Sequence, residues 1–230
     1  MSLRKALLVA LFAALTPFPG SGQRVVVDEG TFAIHHDGQL VGTEDFTIRR
    51  EGLGSDATVF SHAVITLEVP DGQVELRPLL QTMLPDGGAS NYQLEVSGAE
   101  TAELSLALVG RRFVSLIRTR RGEEEREFLA RPDTRILEEG VAHQYYFLRN
   151  QREGSIVPAI EPRTRRQLRL VASAWVEEEI RLGANRIPAR RVTFVADDEE
   201  RRVWFDSQGR VLRVEVPARA YLAERSDLVG

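Results

Sequence analysis

From Thr31 to Val216 the chain alternates hydrophobic and polar residues with a period of two. Glycine, proline, asparagine or aspartate breaks the pattern about every eight to twelve residues, the spacing of strands in an all-β protein. A period of two puts successive side chains on opposite faces of an extended backbone. A helix would need apolar positions three and four apart. The clearest stretch is Arg202 to Pro217, RVWFDSQGRVLRVEVP. Val203 to Phe205 is β-branched and aromatic, and Asp206-Ser207-Gln208-Gly209 is a turn with Asp at its first position and Gly at its fourth. After the turn, Leu212, Val214 and Val216 are expected on one face, and Val211, Arg213 and Glu215 on the other.

The same reading runs through the chain. Thr31 to His36 and Leu40 to Arg50 form a hairpin around Asp37-Gly38, and Thr58 to Val69 and Val74 to Leu84 form another around Asp71-Gly72. Pro85-Asp86-Gly87-Gly88 is a further break. Asn91 to Val96, Glu103 to Val109, Phe113 to Thr119 and Glu125 to Ala130 continue the pattern. Between Pro132 and Pro162 the texture changes. Val141, Tyr145 and Leu148 predict a short helix over 141–151, and Gly154 to Pro162 reads as a loop with two prolines. Extended segments resume at Gln167 to Trp175, Val176 to Leu182 and Ile187 to Ala196. This many strands cannot lie in a flat sheet without curling. The expected fold is mainly β: a large curled antiparallel sheet, half-barrel or barrel-like meander, with one or two short helices.

The first 22 residues differ. Arg4 and Lys5 precede an apolar run from Ala6 to Leu15, followed by small residues to Gly22, the pattern of a secretory signal peptide. The run is shorter than the roughly 20 apolar residues of a membrane-spanning helix. Residues 23–230 are then one curved-sheet domain of 208 residues. Losing the leader's two positive charges takes the net charge from −4 to −6, which disfavours nucleic acid as a partner. No second long apolar run predicts a membrane span. The expected location is periplasmic, with secretion as the alternative.

Composition narrows the chemistry. With no cysteine there is no disulfide, thiolate metal site or thiol nucleophile. The neighbours His35 and His36 point to opposite faces of a strand, and His62 and His143 could meet only through the fold. No metal or cofactor is expected, since no ligand pair has a recognised spacing. Nucleophile elbows and phosphate loops are missing too; Gly52-Leu53-Gly54-Ser55-Asp56 lacks the final glycine of the elbow. A catalytic triad can still assemble from distant residues. The acidic runs Glu123-Glu124-Glu125, Glu177-Glu178-Glu179 and Asp197 to Glu200 would suit calcium, and Arg163-x-Arg165-Arg166-x-x-Arg169 lipid headgroups. Solvated turns and cross-strand pairs explain both more simply. Aromatics gather in the second half. Tyr145, Trp175, Phe194 and Trp204 are the candidate ligand-binding residues if the sheet curls around an unfilled concave side. The plainer alternative packs them against the 141–151 helix as core.

Three places carry a resemblance: Phe32-x-Ile34 with Gly38-x-x-x-Gly42 and Phe46-x-Ile48; Gly183-x-x-x-Ile187-Pro188-Ala189-Arg190; and Val203-Trp204-Phe205-Asp206-x-x-Gly209-Arg210-Val211-Leu212. On these the chain resembles exported bacterial proteins whose sheets are related to the periplasmic lipoprotein carriers and outer-membrane lipoprotein receptors. The resemblance implies a curved antiparallel sheet over one or more helices, with a hydrophobic concavity and no shared catalytic residue. The function expected is that of a soluble, non-enzymatic binding protein of the cell envelope, holding a lipid, a lipidated partner or another apolar ligand on the concave face. The alternatives are an envelope hydrolase with a non-local catalytic site, or a structural partner acting by edge-strand addition.

Overall fold

A computed structural model describes residues 24–54, 57–83 and 87–228. The expected leader over 1–22, residues 55–56 and the first half of the break at Pro85-Asp86-Gly87-Gly88 lie outside the described residues. The strands are β1 (Arg24–His36), β2 (Gln39–Glu51), β3 (Thr58–Val69), β4 (Gly72–Met83), β5 (Gly88–Gly98), β6 (Ala102–Val109), β7 (Arg112–Thr119) and β8 (Gly122–Leu129). They continue as β9 (Arg135–Ile136), β10 (Ile156–Glu161), β11 (Arg166–Ala172), β12 (Val176–Leu182), β13 (Asn185–Ala196), β14 (Glu199–Phe205), β15 (Val211–Val216) and β16 (Tyr221–Arg225).

All belong to one sheet, in the order β8-β7-β6-β5-β4-β3-β2-β1-β16-β15-β14-β13-β11-β10-β9, with β12 on β13. The pairings are antiparallel except β9 on β10. Alternating apolar residues supply one continuous inner face, including Phe32 and Ile34 of β1, Phe46 and Ile48 of β2, Leu104 and Leu106 of β6, and Val192 and Phe194 of β13. The expected mainly β, curled sheet is what the chain forms. Its ends come round toward each other without a ladder. Arg165 pairs with Glu124 at 2.6 Å, and Gln167 Nε2 donates to the Leu129 carbonyl at 2.7 Å. These side chains span from β11 and the turn before it to the free edge of β8.

The middle of the chain fills the curl. From Thr134 to Leu148 every residue except Glu139 and Gly140 is buried. This inner segment enters beside β5, where the Ala89 N–H donates to the Thr134 carbonyl at 2.9 Å. It turns at Glu139-Gly140 and returns as a 3-10 helix, His143–Leu148. The helix expected over 141–151 is therefore shorter and tighter, because the segment is shaped by the cavity it fills and not by an amphipathic stripe. Buried backbone groups need partners, and these are found inside. Glu44 on β2 accepts the Ala142 and His143 N–H groups at 2.7 and 2.8 Å, Gln144 Oε1 accepts the Glu138 N–H at 2.6 Å, and the Ile160 carbonyl accepts the Leu137 N–H at 3.0 Å.

Three further departures have local causes. The expected loop 154–162 contains β10; Pro158 stands in that strand, and β10 is the second-last strand of the sheet. Residues 221–225 form β16, which pairs with β1 and β15. The hairpin of β14 and β15 carries a bulge: Trp204 lies opposite Arg213 but Phe205 opposite Val211. The extra residue is Leu212, so it does not share a face with Val214 as expected. Val211 and Val214 join the main core, and Leu212 packs with Ile180, Leu182, Ala189 and Trp204 in a second cluster on the other face. The turn itself forms as expected. Asp206 Oδ1 accepts the N–H groups of Gln208 and Arg210, both at 2.9 Å, and Gly209 takes φ +78°.

Candidate ligand-binding site

The inner segment enters and leaves the curl at one end, and a cavity of about 360 Å3 opens there. Val59, Tyr146 and Phe147 form its apolar wall, with Thr82, Asn150, Gln151 and Ser155 among the polar groups. Arg135, Arg149 and Arg152 face it, together with the carboxylate of Asp133. Each piece has a structural reason to be there. Tyr146 and Phe147 close the 3-10 helix and pack edge to face, with ring centroids 5.4 Å apart. Arg149 caps that helix: its guanidinium lies 3.7 Å from the Tyr146 ring centroid and Nη1 donates to the Tyr146 carbonyl at 3.0 Å. A Cβ on Gly209 would come within 3.0 Å of Arg149 Cδ, so the missing side chain makes room for this arginine. Arg135, buried, donates Nε to the Phe147 carbonyl at 3.1 Å and stands 3.6 Å from Asp133. Burial pushes Arg149 below the usual guanidinium range, and Tyr146 offsets this only in part.

A second cavity, about 260 Å3, lies at the far end where the segment turns. Glu138, Glu139, Tyr145, Glu161, Arg219 and Tyr221 are among the residues around it. Its charges are already matched. Glu161 pairs with Arg201 at 2.8 Å and with Arg219 at 3.2 Å, and Glu138 pairs with Arg163 at 3.3 Å.

Two histidines meet a carboxylate among the described residues: exposed His36, which borders the far cavity, stands with Nδ1 3.2 Å from Asp37 Oδ2 in the β1–β2 turn, and His143 pairs with Glu44. His143 Nδ1 is 2.6 Å from Glu44 Oε1, and the ring stacks on Phe46 with centroids 5.6 Å apart. Both side chains are completely buried, and neither lines the cavities described above. Glu44 binds the backbone of the same segment, so the pair acts as a fastening.

The four aromatics singled out in the sequence do not converge on one cavity. Tyr145 and Phe194 are in the main core, and Tyr145 also borders the far cavity. Burial pushes the Tyr145 hydroxyl up to about 12. Trp175 packs at the core's margin, 5.6 Å from Phe205 by ring centroid, and donates Nε1 to the Gln151 carbonyl at 2.9 Å. Trp204 is on the opposite face in the second cluster, where its indole N–H donates to Glu178. Much of the charge runs is tied up in pairs: Glu177, Glu178 and Glu179 with Arg190, Arg191 and Arg186, and Arg163, Arg165 and Arg166, but not Arg169, with Glu138, Glu124 and Glu161. The sequence reading missed Arg135, Arg149 and Arg152. They show no periodicity, and an arginine-rich composition hides them; the cue was their position at the two ends of the texture change. No protein-family model, curated protein or solved structure matches the chain.

Proposed function

We propose that this is an exported binding protein of the cell envelope that seats a small amphiphile, free or as the lipid group of a partner, at the mouth where its inner segment emerges. The observation that carries this reading is the cavity of about 360 Å3, with Val59, Tyr146 and Phe147 on one wall and polar groups on the other. Its size and mixture of an apolar wall with a few converging polar groups are those of small-molecule sites. Residues 134–148, all buried but Glu139 and Gly140, occupy the inner side of the sheet between the two cavities described above, so this reading seats an apolar ligand at the mouth. Hydrolysis through the His143–Glu44 pair would require it to reach a substrate, and its burial argues against that; His36 and Asp37 are an exposed pair of adjacent turn residues. Edge-strand addition would use the free edge of β8, but Glu123, Glu124 and Glu125 stand there, the charged guard that sheets set against pairing.

Native mass spectrometry of protein purified from its own envelope tests the proposal. A co-purified amphiphile is expected, and Asn150→Trp, which fills the mouth from an exposed position, should remove it. A clean ligand-free mass together with no uptake of a fluorescent fatty acid would defeat the reading.

A further inference from the structure

The arginines at the mouth go beyond what an apolar ligand needs. Resting on the binding reading above, we infer that the mouth selects its ligand by an anionic group, a carboxylate or phosphate, held between Arg149 and Arg152 with Arg135 as the floor.

Arg149 and Arg152 both face this cavity, in a chain whose net charge is −4. Elsewhere among the described residues some arginines stand against acids, as Arg112 with Glu127, Arg118 with Glu123, Arg201 with Glu161 and Arg213 with Glu224, and others, exposed Arg126 and Arg169 among them, do not. Among the described residues, Arg149 and Arg152 have no carboxylate within ion-pair distance. For Arg152, which is exposed, solvent supplies the balance. For Arg149 it does so only in part, because the residue is half-buried on Tyr146. A guanidinium withdrawn from water without a counter-charge is unfavourable, and an anion in the cavity relieves that cost. The group is also held in place before any ligand arrives. The Tyr146 ring, the Tyr146 carbonyl and the space left by Gly209 set its orientation. Little side-chain freedom is then lost on binding. Asp133 stands with Arg135, at 3.6 Å, and its side chain is about half exposed. A planar guanidinium accepts a carboxylate or phosphate through two parallel N–H donors, which an ammonium cannot reproduce. The adjacent Tyr146, Phe147 and Val59 suit the chain that such a head group carries.

The test measures binding of four probes to the full chain by calorimetry: oleate, lysophosphatidic acid, inorganic phosphate and the uncharged monoolein. Oleate and lysophosphatidic acid are expected to bind, more weakly as salt rises, and monoolein much less. Arg149→Gln and Arg152→Gln should each weaken the anionic probes about ten- to a hundredfold, a larger factor than for monoolein. Arg152→Glu, at an exposed position that cannot disturb the core, keeps the test valid if the Arg149 variant fails to fold. Equal binding of oleate and monoolein, insensitive to the arginine variants, would overturn the anion inference while leaving the mouth as the site. Phosphate binding as tightly as the amphiphiles would uphold the arginine site and defeat the amphiphile reading. No binding by any probe would end both.

Discussion

Glu44 has no surface in contact with water, yet it stands in the middle of an apolar strand face beside Phe46. Its two oxygens accept two backbone N–H groups and face the His143 ring nitrogen, so three polar groups of the inner segment depend on one side chain. Glu44→Ala should therefore cost about 3–5 kcal/mol, the range for removing one partner of a buried pair. The denaturation midpoint would report it, and a loss below about 0.5 kcal/mol, the size of an ordinary surface substitution, would show that the contact is dispensable. The far end offers a pH test. Burial alone would push Glu161 up, but Arg201 and Arg219 outweigh it and hold the carboxyl below its ordinary value of 4.5. A carboxyl depressed in the folded state contributes its stability in full above pH 4.5 and loses it as the pH falls through the folded value. Arg219→Gln should thus destabilise the protein at pH 7 and cost much less at pH 3. Equal losses at both would mean that packing, and not charge, carries the effect.

At the scale of elements, the bulge in the β14–β15 hairpin and the inner segment set the two cores. Leu212 is completely buried in the small cluster that β12 and β13 fold over the back of β14. Leu212→Ala should cost about 2–5 kcal/mol. If the second cluster were a mere surface contact, the thermal midpoint would barely move. The inner segment should behave as part of the core despite having almost no regular structure. Its amides at Ala142 and His143 are expected to exchange with solvent as slowly as those of the central strands, and Glu44→Gln should speed those two first. Fast exchange there in the unaltered protein would mean that the segment leaves the curl readily.

For the whole molecule the decisive pairing is β1 with β16, which brings the two ends of the described chain together at the centre of the sheet. Arg225 on β16 locks it. Its guanidinium pairs with the buried Asp28 at 3.1 Å and with Asp227 at 2.7 Å, and lies 5.6 and 5.1 Å from the Phe32 and Phe46 ring centroids. Arg225→Ala leaves Asp28 buried without its partner, a loss of about 3–5 kcal/mol. Hydrogen exchange should rise in β1 and β15 together, because β16 pairs with both. A change confined to residues 221–228 would show that the halves stand without this staple. Joining such distant strands late also predicts slow refolding, since chain entropy must be lost before the contact rewards it.

The alternating pattern determined by itself that the chain is β, where most hairpins turn and that the sheet must curl, because a period of two and the conformations of Asp and Gly in turns are local properties. Phe32, Phe46, Val192 and Val203 could be assigned to the core for the same reason. Tertiary structure alone decided the rest. The segment after Pro132 has no periodicity to read, yet it fills the curl, because the inner face of a large curved sheet must be covered by something and this stretch brings Tyr145, Phe147 and Leu148 to it. The strand 221–225 was invisible because its partners are β1 and β15, and a five-residue strand carries too few alternations to announce itself. The mouth with Arg135, Arg149 and Arg152 was likewise beyond the sequence. A site is a convergence in space, and nothing along the chain relates Val59 and Thr82 to residues 133–155 until the sheet closes around them.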